Sequence, residues 1–227
     1  VWLRRELHHR RRQGLRARHR AWPGADQARS GGRRPWSARW ARQGSHGWND
    51  RFSPITPTAY DLSFEEVEGI CDCCGQARAL RYRGPFYTRL RPDYLCPWCI
   101  ADGRAAASYE GEFIGWSDIE GVSPDPADPP PTIARELLLE ICERTPGYSS
   151  WQQSVWLSHC ERPCAFLGYA GSDDLLPILD QVRPDVAAVN PRDADWVLEH
   201  LSRDGMMVGC LFQCLECGQH RLHVDLE

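Results

Sequence analysis

The sequence predicts an α+β protein of two small modules, each a knuckle-like hairpin with packed helices, behind a disordered N-terminal arm. Three observations lead there. Cysteines recur in closely spaced pairs, a proline-rich stretch divides the body of the chain, and charge is segregated along it. The 227 residues are 42% hydrophobic and 26% charged, a balance that suits a globular chain. No run of about 18 apolar residues occurs, so no membrane insertion is expected. The first residues lack the apolar stretch of about 7–15 residues that a secretory signal needs. Without a secretion signal cysteines are read first as metal ligands, and the odd count of 11 argues against a closed disulfide framework.

The arm comes first. Residues 1–51 carry 14 arginines against Glu6, Asp26 and Asp50, while the rest of the chain is strongly acidic. The chain has no lysine, which points to a GC-rich genome before any need for guanidinium groups. A nucleic-acid tail would use these arginines on phosphates, with Trp22, Trp36, Trp40 and Trp48 interleaved. A transit peptide would also be serine-rich, and only Ser30, Ser37 and Ser45 occur. A disordered tail or a mis-called start is the preferred reading, since the chain opens on Val1 and the arm has little apolar periodicity. Such a segment buries too little apolar surface to offset its ordering entropy.

The division expected is 1–60 for the arm, 61–122 for an N-terminal module, 123–132 for a linker and 133–227 for a C-terminal module. Residues 79–83 and 94–95 read as short strands around Gly84-Pro85, and 100–109 as a helix. Five prolines in residues 123–132 predict a stiff, extended linker. Residues 133–142 read as an amphipathic helix capped by Thr132. Residues 149–157 read as a second helix, with Trp151 and Trp156, like Tyr148, more readily core than ligand cage. A strand at 165–169, helices at 173–182 and 193–201, and strands at 207–213 and 220–226 complete the body.

The cysteines carry the strongest signal. Cys71 and Cys74, then Cys96 and Cys99, form C-x2-C-x21-C-x2-C. Two sulfurs two residues apart can grip one Zn²⁺ from a tight turn, and a second pair completes the tetrahedron that structural zinc prefers. The gap suits a hairpin folding back in the manner of a zinc ribbon. A second set follows: Cys160, Cys164, Cys214 and Cys217. Gly75 and Gly218 each follow a knuckle, where φ above zero is often needed. Cys73 and His159 are alternative ligands. Two structural zinc ions are therefore expected, in closed sites without an open position for water. The rival reading treats Cys96-Pro-Trp-Cys99 as a redox dithiol leading into a helix, but the upstream pair at zinc spacing would stay unexplained. Cys142 and Cys210 lie in apolar runs and read as core.

The C-terminus alternates, placing Arg221, His223, Asp225 and Glu227 on one strand face. Such a face could do acid–base work in a hydrolase or nuclease, near His159. A solvated polar face is the preferred reading, because no nucleophile can be assigned.

The run Tyr94-Leu-Cys-Pro-Trp-Cys-Ile-Ala-Asp-Gly103, with Gly111-Glu-Phe113, Ile119-Glu-Gly121, Thr145-Pro-Gly-Tyr148, Trp151-Gln-Gln153, Val155-Trp-Leu157, His159-Cys160, Cys164-Ala-Phe166 and Cys214-x-x-Cys-Gly-x-His-Arg-Leu-His-Val-Asp225, resembles the bacterial CbrC family. The Cys71-x-Cys-Cys-Gly75 entrance is also similar. The resemblance implies a cytoplasmic bacterial protein with no established enzyme activity, whose namesake is linked to colicin tolerance. It implies a Tyr-His-Pro-Asp-Pro-like strand before the first cysteines, which residues 50–65 lack. The expected role is a zinc-stabilised binding or adaptor module with a protein partner. Nucleic acid is a less favoured partner because the body is acidic.

Overall fold

In the computed structural model, residues 57–125 and 127–226 are described. The readings of the arm up to residue 56, and of Glu227, lie outside these residues. Mixed helix and strand are found as expected. The boundary at residue 60 moves, however. Helix α1, Pro57–Leu62, belongs to the folded body, with Ala59 and Tyr60 buried.

Strands β1 (Phe64–Ile70) and β2 (Ala77–Tyr82) pair antiparallel, with an irregularity between Glu66 and Gly69. The Tyr94 hydroxyl lies 2.7 Å from the Val67 carbonyl and 2.8 Å from that of Arg78, pinning this bulge. A Cβ on Gly69 would meet the Tyr94 ring at 2.5 Å, so the close approach requires glycine there. Sequence reading misses β1 because only Phe64 of its seven residues is buried. Residues 94–95 are not a strand, although Leu95 accepts the Tyr82 amide at 2.9 Å.

The helix expected over 100–109 is two helices, α2 (Pro97–Ala101) and α3 (Arg104–Tyr109). Gly103 breaks them with φ of 77°. Helix α4, Arg135–Arg144, begins after Ala134 rather than after a Thr132 cap. The segment 149–157 is not a helix. It is an extended loop tied by its backbone: Tyr148 donates its hydroxyl to the Val155 carbonyl at 2.7 Å and accepts the Val155 amide at 2.8 Å. Trp156 is fully buried as expected of core, whereas Trp151 is exposed.

The C-terminal half contains a small hairpin, β3 (Ser158–His159) and β4 (Arg162–Pro163), and a three-stranded antiparallel sheet. The sheet order is β5 (Ala165–Ala170), β6 (Met207–Gln213), β7 (His220–Leu226). Between β5 and β6 lie α5 (Ser172–Leu175), α6 (Leu179–Val189) and α7 (Ala194–His200). One side of the chain's sheet packs under these helices through Leu175, Val182, Val186, Val197, Leu198 and Leu222. Elsewhere Tyr148, Trp156, Phe166 and Phe212 form an aromatic core, with Tyr148 stacked on Phe166 at 4.7 Å between centroids.

The proline-rich segment is a turned surface loop rather than an extended spacer: Ser123 and Asp128 join through their side chains, and Asp128 N–H reaches the Asp125 carbonyl. The two halves interlock through other segments. Ser63 Oγ donates to the Gly147 carbonyl at 2.9 Å, the Gly147 amide donates to the Tyr82 hydroxyl at 3.0 Å, and the Phe113 amide donates to the Cys142 carbonyl at 2.7 Å. Loss of a large aromatic from this close-packed interior leaves a cavity that neighbours cannot fill. Phe212→Ala is expected to cost about 3–5 kcal/mol, read from urea denaturation.

Candidate metal centres

The tip of the β1–β2 hairpin is Cys71-Asp-Cys-Cys-Gly-Gln76. Its backbone closes on itself: the Cys71 amide donates to the Gln76 carbonyl at 3.0 Å, and the Gly75 amide to the Cys71 carbonyl at 2.7 Å. The tip of β6–β7 is Cys214-Leu-Glu-Cys-Gly-Gln219 and closes in the same way, at 2.8 and 2.9 Å. Gly75 has φ of 66° and Gly218 of 76°, and an added Cβ would meet nothing within 4 Å at either. Backbone conformation alone, not space, demands glycine.

The second pair of the first cluster is delivered differently. Cys96 precedes α2, and the Cys99 and Ile100 amides turn back to the Cys96 carbonyl. Asp72, between the knuckle cysteines, accepts the amides of Asp93 and Tyr94 at 2.7 and 2.9 Å, which brings that segment alongside. Arg78 lies over the Trp98 ring at 4.2 Å. The structure thus brings Cys71, Cys74, Cys96 and Cys99 together, their sulfurs all within 4.8 Å of one another. The separations are 3.9 Å for Cys71–Cys99, 4.0 Å for Cys74–Cys96 and 3.6 Å for Cys96–Cys99. Four sulfurs at about 2.3 Å from a tetrahedral zinc stand about 3.8 Å apart, so this donor set fits such an ion. Cys71, Cys96 and Cys99 are fully buried. Cys73 stays outside the four, half-buried, with its sulfur 4.0 Å from Ser108 Oγ.

The hydrogen bond from Cys96, with backbone amides around it, pulls the Cys71 thiol down to about 4. The same bond and burial push Cys96 up, while burial pushes Cys99 up. Crowded sulfurs without a cation can share only part of the negative charge, which is the electrostatic reason such a cluster suits a metal ion.

The second cluster corrects the expected ligand set. His159, Cys160, Cys214 and Cys217 come together within 4.8 Å, and Cys164 does not join them. Cys164 starts the inward face of the sheet: its amide donates to the Leu157 carbonyl, and its side chain is fully buried in the aromatic core. His159 Nδ1 lies 3.2 Å from the Cys160 sulfur and 3.3 Å from that of Cys217, and the two sulfurs are 3.8 Å apart. Cys160 and Glu161 form the turn of the β3–β4 hairpin with φ of 50° and 56°, a conformation that favours Asn-Gly there. Cys160 and Cys217 are exposed. For Cys214 burial opposes ionisation, but the Cys217 and Glu216 amides outweigh it and bring the thiol to about 7.

The polar face of β7 holds the scaffold of this cluster. Arg221 pairs with Asp185 at 2.9 Å and Glu120 at 2.9 Å and donates to the Ser158 carbonyl at 2.5 Å. Glu120 in turn accepts the Ser158 amide at 2.8 Å. The residue before His159 is thereby clamped at both backbone groups. Asp225 is not a solvated acid: it is buried and accepts the amides of Trp151 and Gln152 at 2.7 and 3.2 Å. These engagements take Arg221 and Asp225 into holding backbone. Sequence reading sees the alternation but not the partners, which come from residues far away in the chain.

The comparisons with known proteins bear on this body of the chain. Residues 56–226 match the profile of a family described as uncharacterised, UPF0167. The chain belongs to this family. It is the CbrC-type family that the motifs resemble. UPF0167 protein PA1536 of Pseudomonas aeruginosa is 39% identical over 174 residues, 73% of this chain and 89% of the relative. UPF0167 proteins Mb2317 of Mycobacterium bovis and MT2352 of Mycobacterium tuberculosis are each 35% identical over 183 residues, 77% of this chain and 91% of theirs. No solved structure matches. Among the described residues no helix is long and apolar enough to cross a membrane.

Two outcomes follow from this geometry. An alanine at position 218 must enter the left-handed region, at a cost of about 1–2 kcal/mol; Gly218→Ala should lower the urea midpoint accordingly, and Gly75→Ala likewise. Burial lowers the His223 pKa, against a smaller upward pull from Asp225. The folded chain therefore protonates His223 at lower pH than the unfolded chain, which takes up the proton near pH 6.5. Stability from this group is present above that pH and lost as pH falls below it. His223→Gln should flatten the fall in urea midpoint between about pH 7 and 5.5 relative to the parent.

Proposed function

We propose that the protein is a zinc-stabilised binding module that carries two ions, one at Cys71, Cys74, Cys96 and Cys99 and one at His159, Cys160, Cys214 and Cys217. The observation that supports this most is the first cluster, in which two remote pairs meet at tetrahedral sulfur spacing. With all four positions filled by protein, each site leaves no place for a reactive water, so the ions join segments rather than hydrolyse a substrate. The first site would be a dianion of four thiolates. The second, with neutral His159, would be a monoanion.

The module works as an adaptor that engages a protein partner in the bacterial cytoplasm, in a stress or toxin-tolerance response of the kind the CbrC resemblance implies. Support for an adaptor over an enzyme comes from β7, where Arg221 and Asp225 are spent on backbone and ion-pair contacts. Nucleic-acid binding would have to draw on the arginine-rich residues 1–51.

Metal analysis of the full chain tests the zinc reading. Two zinc per chain are expected, falling to one in Cys96→Ser and to one in Cys214→Ser. Cys164→Ser should keep two. One zinc in Cys164→Ser would restore that residue as a ligand, and a metal-free parent chain would defeat the reading.

A further inference from the structure

The two clusters share a knuckle but differ in everything that governs how long an ion stays. In the first, three of four sulfurs are fully buried, and the Cys96–Cys99 pair is fixed to a helix whose Pro97, Ile100 and Ala101 are buried too. Release from it requires the surrounding core to open. In the second, Cys160 and Cys217 face solvent. Cys214, at 1% exposure, is the buried donor of the set. One side of the donor set is thus open to an incoming ligand.

The way the ligands are mounted sharpens the contrast. His159 and Cys160 stand on a hairpin with two residues in each strand. Cys160 and Glu161, neither a glycine, are both held at positive φ, a conformation that side chains with a Cβ disfavour. That strain lies in the two-residue turn itself, so the tip is the part of the hairpin that opens most readily. Yet the stem cannot wander. Arg221 and Glu120 grip both backbone groups of Ser158, and Arg162 pairs with Glu216 at 2.8 Å, joining the two ligand tips without any metal. The open side, the strained tip and the clamped stem together describe a site that releases and reloads an ion while the fold stays intact.

We propose that the His159–Cys160–Cys214–Cys217 centre is an exchange site that passes Zn²⁺ to and from soluble ligands of the thiolate or nitrogen-donor class, while the Cys71–Cys74–Cys96–Cys99 centre keeps its ion. This deepens the zinc reading and rests on it. In the exchange a donor atom of the acceptor takes the place of Cys160 Sγ, which leaves as a thiolate and takes up a proton from solvent. Zinc remains divalent throughout, so no oxidant or reductant is needed. The remaining donors follow in turn, and loading runs the same steps backwards.

The test uses the full zinc-loaded chain, with metal content measured first and release then followed by excess pyridylazoresorcinol. Two equivalents are expected, one leaving about tenfold or more faster than the other, because only release from the buried Cys71–Cys74–Cys96–Cys99 centre requires opening of the core. Cys160→Ser should hold one zinc and show the slow phase alone. Glu161→Gly, which relaxes the tip without touching a ligand, should keep two zinc and slow the fast phase. A content of two with a single release rate overturns the exchange assignment and leaves the zinc reading standing. So does a fast phase that survives in Cys160→Ser. A parent chain that holds fewer than two zinc overturns the two-ion reading itself, and the exchange site with it.

Discussion

In both ligand hairpins the first cysteine gives its amide to a glutamine carbonyl five residues on and receives the amide of the intervening glycine. Those two hydrogen bonds turn the chain so that two sulfurs point the same way, and the rest of the molecule is arranged around that fact. The strands on either side are the hairpin legs. The remaining donors must arrive from elsewhere, so the fold has to bring a helix start to one tip and a short hairpin to the other. Asp72 does the first task by accepting two amides from the 93–94 backbone. Arg221 and Glu120 do the second by gripping Ser158. Charged side chains are thus placed for the backbone they hold, and hydrogen bonds to ionised groups are among the stronger ones available.

The two halves depend on each other through residues 144–148. Arg144 offers its carbonyl to Tyr60, Gly147 exchanges hydrogen bonds with Ser63 and Tyr82, and Tyr148 then enters the aromatic core. Gly147 is constrained by space, since a Cβ there would meet the Phe113 carbonyl at 2.6 Å. The proline-rich loop therefore joins two halves that already touch, and it turns back on itself rather than holding them apart.

Spacing was legible where the chemistry is local. Cys71, Cys74, Cys96 and Cys99 could be grouped from sequence because each pair sits in a single turn, and β6 and β7 matched their expected bounds because apolar residues flank an obvious tip. The fourth residue of the second cluster was not legible from spacing. Cys160 and Cys164 look like a pair, but a two-residue turn at Cys160-Glu161 carries the chain back, and Cys164 meets Leu157 on the buried side. The neighbouring Ala165 and Phe166, both buried, were the signal that this stretch faces the core. Asp225 was misread for a related reason: alternation assigns it a face, but its partners, the Trp151 and Gln152 amides, belong to a loop that looked helical. Strand β1 had no apolar face to announce it and exists through pairing with β2.

The outer margin of β7 has a consequence for how any other chain could approach. Its His220 amide donates to Gln181 Oε1 at 2.9 Å, and its Leu222 amide to Asp185 Oδ2 at 2.8 Å. Both acceptors project from α6, so side chains stand where the main chain of a neighbouring strand would lie. A row of unpaired amides is what recruits foreign strands and seeds fibrous assembly. Here that row is sealed at its start by the same Asp185 that steadies Arg221. The sheet is consequently closed to lateral growth beside the second cluster, and a visitor arriving there must recognise surface side chains rather than extend the ladder.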